Sequence, residues 1–251
     1  MKPYKVSLLI PCTCRGRDEW LNIKDTYLYK LSLNTFLKTQ NKEHKYVVYI
    51  GYDSDDRIFS CEVSQNEIRR FTSVFPNVSF KFIEYTNIKK GHLTKMWNVL
   101  YQTAYDDKCD YFYQCGDDIT FKTDGWINDS IVALYEHNDI GISGPLNNNS
   151  SILTQAMFSR KHMEIFGWLF PEEIMNWFCD DWYNYVYRPN LFYPLTSHYC
   201  SNDGGIPRYD INGNPNYLEN GKQNSKELRS DTIALSKKHI MILSGYLRRT
   251  V

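Results

Sequence analysis

The chain has no surplus of charge: 29 Lys and Arg balance 29 Asp and Glu over 251 residues. Nucleic-acid binders draw affinity from neutralising phosphates and carry a basic excess, so no nucleic-acid partner is expected. A local basic cleft for one diphosphate remains compatible with zero net charge. Runs long enough to cross a bilayer are missing too, so no membrane span is expected. Met1 to Lys5 leads straight into a short apolar strand, with no signal-type hydrophobic region. The seven cysteines are odd in number, contain no C-x-x-C pair and have no zinc-knuckle spacing. These absences predict a cytoplasmic protein with reduced, structural cysteines. Internal repeats are absent as well.

Aromatic residues are plentiful, with 20 Tyr, 13 Phe and 6 Trp. They suit a packed core first and a sugar-binding cleft second, having a broad apolar face and, in Tyr and Trp, a polar edge. The length fits one large α/β domain.

Along the chain, Tyr4 to Pro11 is a short apolar run closed by proline and predicts a buried strand. Asp18 is placed to cap a helix over Glu19 to Lys38, in which Ile23, Tyr27 and Leu31 recur at helical spacing. Lys45 to Tyr52 is a second strand, closed by the acidic turn Asp53-Ser54-Asp55-Asp56. Ser64 and Glu67 have capping-box spacing and open a helix that stops before Pro76. Val78 to Tyr85 alternates as a third strand. Leu93 to Tyr105 is a helix, Asp110 to Cys115 a fourth strand, Gly125 to His137 a helix capped by Asp124, and Ile140 to Gly144 a further strand. Two helices fill Met163 to Tyr187, broken near Phe170-Pro171. Cys200 to Ser225, rich in Asn, Gly, Asp and Pro, is expected to be a long loop acting as a lid. Glu227 to Leu247 returns to helical patterning. Alternating strands and helices predict a mostly parallel sheet with helices on both faces. Such sheets bind ligands at the carboxyl ends of their strands, where both acidic turns lie.

The fourth strand closes in Gly116-Asp117-Asp118. Adjacent carboxylates at a sheet mouth repel unless a cation or water separates them. Magnesium is typically held by one or two carboxylates together with phosphate oxygens, so Mg²⁺ or Mn²⁺ with a diphosphate would satisfy the pair. The other reading of Gly-Asp-Asp is a solvated turn.

The order of these features resembles the donor half of GT-A glycosyltransferases, particularly the family 2 group. Pro11-Cys12-Thr13-Cys14-Arg15 stands where that family has its first-strand turn, and Gly51 to Asp56 where it has an acidic turn for base and ribose. Lys90-Gly91, Lys95 and Asn98 resemble its Gly…Asn segment, and Gly116-Asp117-Asp118 its metal-binding Asp-x-Asp. Phe158 to Lys161, Gly167 to Glu173 and Asp180-Asp181-Trp182 follow in the family's order. The likeness runs from Val6 to Arg188.

It implies a single GT-A domain: a Rossmann-like, mostly parallel sheet flanked by helices. A nucleotide-sugar half would span residues 1–121, and an acceptor half 122–251. It further implies that Pro11, Thr13, Arg15, Asp53, Asp55, Lys95, Asn98 and Asp117 contact a nucleoside-diphosphate sugar, with UDP the expected nucleotide. Asp118 would ligate the metal, with His198 as a late ligand, and Asp181, supported by Asp180, would be the general base of an inverting transfer to a hydroxyl of a glycan, protein or small molecule. Trp168, Trp177 and Trp182 are candidates to stack on an acceptor sugar. A sugar nucleotidyltransferase, or a binding protein with a decayed site in which Gly116 marks the lost acid, stays open. Metal-dependent donor hydrolysis separates enzyme from binder, and the leaving group separates the two enzymes.

Overall fold

The computed structural model describes residues 2–205 and 225–250. Eight strands form one sheet in the order β3-β2-β1-β4-β7-β6-β8-β5. At its centre β1 (Lys5–Pro11) pairs in parallel with β2 (Lys45–Asp53) and β4 (Tyr111–Gln114), and β2 pairs in parallel with β3 (Val78–Tyr85). The near-continuous apolar runs of β1 and β2 suit strands buried on both faces. β3, at the edge, alternates.

Three strands were illegible in sequence: β5 (Ile119–Phe121), β7 (Ala156–Ser159) and β8 (Phe192–Asn202). The first two are too short to show a period. The third contains Pro194 and a run of small polar residues, which read as loop. With β6 (Ile142–Leu146), they make the antiparallel part: β4 with β7, β7 with β6, and β8 with β5, while β6 and β8 run in parallel. Cys200, Ser201 and Asn202 thus end a strand rather than begin a loop. The rest of the expected lid, residues 206–224, lies outside the described residues.

Helices cover both faces. A 3₁₀ turn at Ile23–Asp25 and a π-helical stretch at Leu28–Leu33 lead into α1 (Asn34–Thr39). The start is capped by Asn22 in a capping box with Asp25, not by Asp18. α2 (Glu62–Phe71) follows Cys61 at its N-cap position, ahead of the Ser64–Glu67 pair. Glu67 instead pairs with Lys24 and Arg70, which hold its carboxyl down at about 2. α3 (Leu93–Asp106) has the expected span, and α4 (Trp126–Tyr135) starts from Gly125 without a side-chain cap. α5 (Arg160–Phe166) and α6 (Cys179–Tyr187) are separated by a longer break than the single Phe170-Pro171 step. α7 (Ser225–Thr250) closes the chain.

The two faces bury two cores. One gathers Ile10, Leu33, Phe36, Val48, Tyr113 and Trp126; the other Leu9, Tyr49, Trp97, Phe112, Phe158 and Trp182. The twelve largest fully buried side chains are all Trp, Tyr or Phe, so the aromatic surplus went chiefly into packing. Trp168 packs on Phe166 and His239, and Trp182 donates its Nε1–H to His239 Nδ1 at 2.9 Å. Trp182 belongs to the interior, and Trp168 is partly buried against it.

Candidate active site

A cavity of about 520 Å³ opens at the carboxyl ends of β1, β2 and β4. Its walls include Pro11, Thr13, Asp53, Asp117, Asp118, Asp180 and Asp181, with Trp177 beside the last two. Seven of the expected site residues, drawn from four separate parts of the chain, therefore share one space. The position follows from topology: strand ends in a parallel sheet deliver their turns to one edge.

At the β1–β2 corner, Asp56 is the buried staple. Its Oδ2 accepts from the Thr13 hydroxyl at 3.1 Å and the Cys14 amide at 2.7 Å, while Oδ1 accepts from the amides of Ile58 and Phe59. One carboxylate thus fixes two turns against each other, and sequence spacing gave no hint of it. Asp53 lines the cavity, and burial pushes its carboxyl up. Asp55 is turned away, 65% exposed and paired with Lys90. Between the two candidates, the turn decides: Asp53, the last residue of β2, stays at the cavity, and the chain beyond it carries Asp55 to Lys90.

The β1 turn also re-assigns its arginine. Arg17, not Arg15, lines the cavity. It donates to the carbonyls of Gly16 at 3.0 Å and Gly204 at 3.3 Å, with its guanidinium over the rings of Trp20 and Tyr27. Its signal in the sequence was only its place two residues beyond Arg15.

Lys95 and Asn98 stay outside the cavity wall. Lys95 pairs with Glu172 at 3.2 Å. Asn98 Oδ1 accepts from the amides of Leu169 and Phe170 at 3.1 and 2.8 Å, and its Nδ2 donates to the Phe170 carbonyl at 2.9 Å. Asn98 is a brace for the chain between α5 and α6. His198 is also elsewhere: its Nε2 lies 2.7 Å from Asp129 Oδ2 and its Nδ1 3.0 Å from Thr123 Oγ1. Strand alternation turns it toward α4, away from Asp118.

Asp118 stands between two glycines. A Cβ on Gly116 would lie 2.6 Å from its Oδ1, and one on Gly204 2.2 Å from its Oδ2. Among the described residues no three His, Cys, Asp or Glu side chains converge as an all-protein metal cage requires. A cation held by one or two carboxylates and completed by diphosphate oxygens needs only Asp118 and its neighbour Asp117, and the residues present fit that kind of site.

On the other wall, Phe178 adopts φ 68°, an uncommon value for a bulky side chain, and starts α6 without a side-chain cap. Asp180 and Asp181, beyond Cys179, fall in the first turn rather than at the cap. Burial, then the Asp181 charge, pushes the Asp180 carboxyl up to about 7. Burial also raises Asp181, opposed by Arg229 and by a hydrogen bond with Tyr185. Adjacent acids raised together in a cleft are a common feature of functional sites.

No family model and no curated protein matches the chain. Among solved structures it is similar to S. aureus TarS, with a TM-score of 0.51 and 13% identity over 78% of this chain and 36% of that one. It is likewise similar to S. aureus TarS 1–349 in complex with UDP-GlcNAc, with a TM-score of 0.51 and 16% identity over 81% of this chain and 60% of that one. The chain therefore spans between about a third and three fifths of the chains it resembles. At such identities the likeness is one of architecture: the chain has the α/β fold of GT-A type.

Proposed function

We propose that the chain is a glycosyltransferase that moves a sugar from a UDP-sugar to an acceptor hydroxyl with inversion, assisted by Mn²⁺ or Mg²⁺. The observation that carries this reading is the single cavity uniting Asp53, the Asp117–Asp118 turn and the Asp180–Asp181 pair at one edge of the sheet. The crystallised complex of a similar fold with UDP-GlcNAc supports the choice of donor.

In this reading the nucleoside lies at the Pro11, Thr13 and Asp53 end. The diphosphate lies between Asp118 and the Arg17 guanidinium, which is pre-positioned by the Gly16 and Gly204 carbonyls. Asp118, with Asp117 beside it, would hold a divalent cation, which would supply charge neutralisation for the leaving diphosphate. Asp181 accepts the acceptor proton as the hydroxyl attacks the anomeric carbon from the face opposite the diphosphate. Asp180, half-buried beside it, keeps its proton while Asp181 is ionised and so keeps the local charge low. The uncharged amides of Asn147 to Asn149 and the Trp177 ring border the acceptor side.

Titration calorimetry with UDP, with and without Mn²⁺, tests the donor site. The expected result is binding that requires the cation and is abolished by Asp118→Ala. Equal affinity in chelator would remove the metal role of Asp118. Incubation with UDP-sugars should release UDP; no turnover with any UDP-sugar and metal would leave a binding protein.

A further inference from the structure

One side of α7 is fixed to the rest of the protein. Leu228, Thr232, Ser236, His239 and Leu243 recur every three or four residues and are buried where the helix packs on α6 and α5. His239 anchors the contact, accepting the Trp182 Nε1–H from α6 and packing against Phe166 of α5. That spacing defines a single buried stripe, and the rest of such a helix is ordinarily polar. Here it is not. Met241 is 74% exposed, and Ile233, Ile240 and Ile242 are each more than a third exposed. Other exposed apolar residues, such as Leu21, Val63, Val74 and Val99, fall on separate segments, and single ones need no explanation. Four within ten residues of one helix do.

Positive charge runs along the same side. From Thr232 to Thr250 the helix carries Lys237, Lys238, Arg248 and Arg249 and no acid, in a chain whose net charge is zero. Glu227 and Asp231 lie earlier, in the first two turns. Ile233, Lys237, Met241 and Arg248 are spaced by four, four and seven, and Lys238, Ile242 and Arg249 by four and seven. Each set therefore forms a stripe along the helix that mixes apolar and cationic side chains. Acids of the neighbouring elements are engaged beside the buried stripe. Glu164 accepts the Tyr246 hydroxyl at 3.1 Å and pairs with Lys161, and the Glu173 charge acts on His239.

Charge decides what such a surface can take. A second copy docked through the same side would set these four cations against their own counterparts. An anionic bilayer offers the complement: phosphate groups for Lys and Arg, and a headgroup boundary into which Met and Ile can sink. The stems of Lys and Arg lie readily along such a boundary with their charges at the headgroups. No helix among the described residues is long and apolar enough to cross a membrane, so α7 would rest on the surface rather than span it.

We propose that the outer side of α7 is a docking surface for anionic lipid. Met241, with Ile233, Ile240 and Ile242, enters the headgroup boundary, and Lys237, Lys238, Arg248 and Arg249 pair with lipid phosphates. The proposal is independent of the donor reading above.

The test is co-sedimentation of the full chain with vesicles of phosphatidylcholine alone and with vesicles containing about a third phosphatidylglycerol. The chain should bind the anionic vesicles and not the neutral ones, and binding should weaken at least about tenfold between roughly 0.1 and 0.5 M salt. Lys237→Glu combined with Lys238→Glu should lose at least about tenfold in vesicle affinity, and the paired alanine variant a smaller part of it. Met241→Ser should weaken binding several-fold. All three alter exposed side chains, so each should melt at the wild-type temperature. Absence of binding to the anionic vesicles, equal binding to both kinds, or unchanged binding by the charge-reversed variant each overturns the proposal. Self-association in sedimentation velocity that Met241→Asp abolishes would overturn it in favour of a second copy.

Discussion

Asp118 and Gly204 approach so closely that a Cβ on the glycine would fall 2.2 Å from the Asp118 Oδ2 and 2.5 Å from its Cβ. The two loops cannot slide apart cheaply. The Asp203 amide donates to the Asp118 carbonyl at 3.0 Å, and the Gly204 carbonyl accepts from Arg17. Gly204→Ala should therefore displace the Asp118 carboxylate. The expected outcome is at least a tenfold loss of cation-dependent UDP binding, with a destabilisation of about 1–3 kcal/mol as in other overpacked sites. Calorimetry and chemical denaturation read the two effects. Wild-type UDP affinity in this variant would show that the carboxylate does not need its present place.

Asn98 separates architecture from donor binding. Removing its amide leaves the backbone groups of Leu169 and Phe170 without their partner. Asn98→Ala should destabilise the fold by about 2–4 kcal/mol and leave UDP affinity, measured on the folded fraction, near wild type. A loss of affinity without a loss of stability would restore it to the donor site.

The acid pair predicts a pH signature. The Asp180 carboxyl titrates near 7 in the folded protein, against about 3.9 in an unfolded chain. Between those values the native state holds a proton that the unfolded state has released. The stability slope is thus negative: the cost of ionising Asp180 grows as pH rises from about 4 and is complete above 7. Asp180→Asn removes that cost, so its melting temperature should exceed that of wild type at pH 8, with the gap closing toward pH 4. A gap independent of pH would mean that the carboxyl titrates normally.

Asp180 and Asp181 can be told apart by rate. Loss of a general base typically costs roughly 10²–10⁴ in turnover and leaves ground-state binding largely intact. Asp181→Asn should keep UDP affinity and folding but lose transfer, measured as product formed per enzyme. Asp180→Asn should retain more activity and shift the pH profile. The reverse ranking would move the base by one residue, and full activity in both would remove it from α6.

The sequence by itself determined the parallel half of the sheet. Continuous apolar runs at Val6–Ile10 and Tyr46–Ile50 can be buried only between neighbouring strands and covering helices. It also determined that acids close β2 and β4, because local patterning shows where a strand stops. Which acid faces inward depended on the sheet: Asp53 and Asp55 look alike in sequence, and the path of the β2 turn points one into the cavity and the other to Lys90. The antiparallel strands β5, β7 and β8 were decided by tertiary pairing, since short or polar segments become strands when a partner supplies their backbone bonds. His198, Asn98 and Tyr85 make the same point about side chains. Their residue types allow ligation, binding or packing, and only contacts between segments far apart in the chain assign His198 to Asp129, Asn98 to Phe170, and the Tyr85 ring to the space left by Gly51.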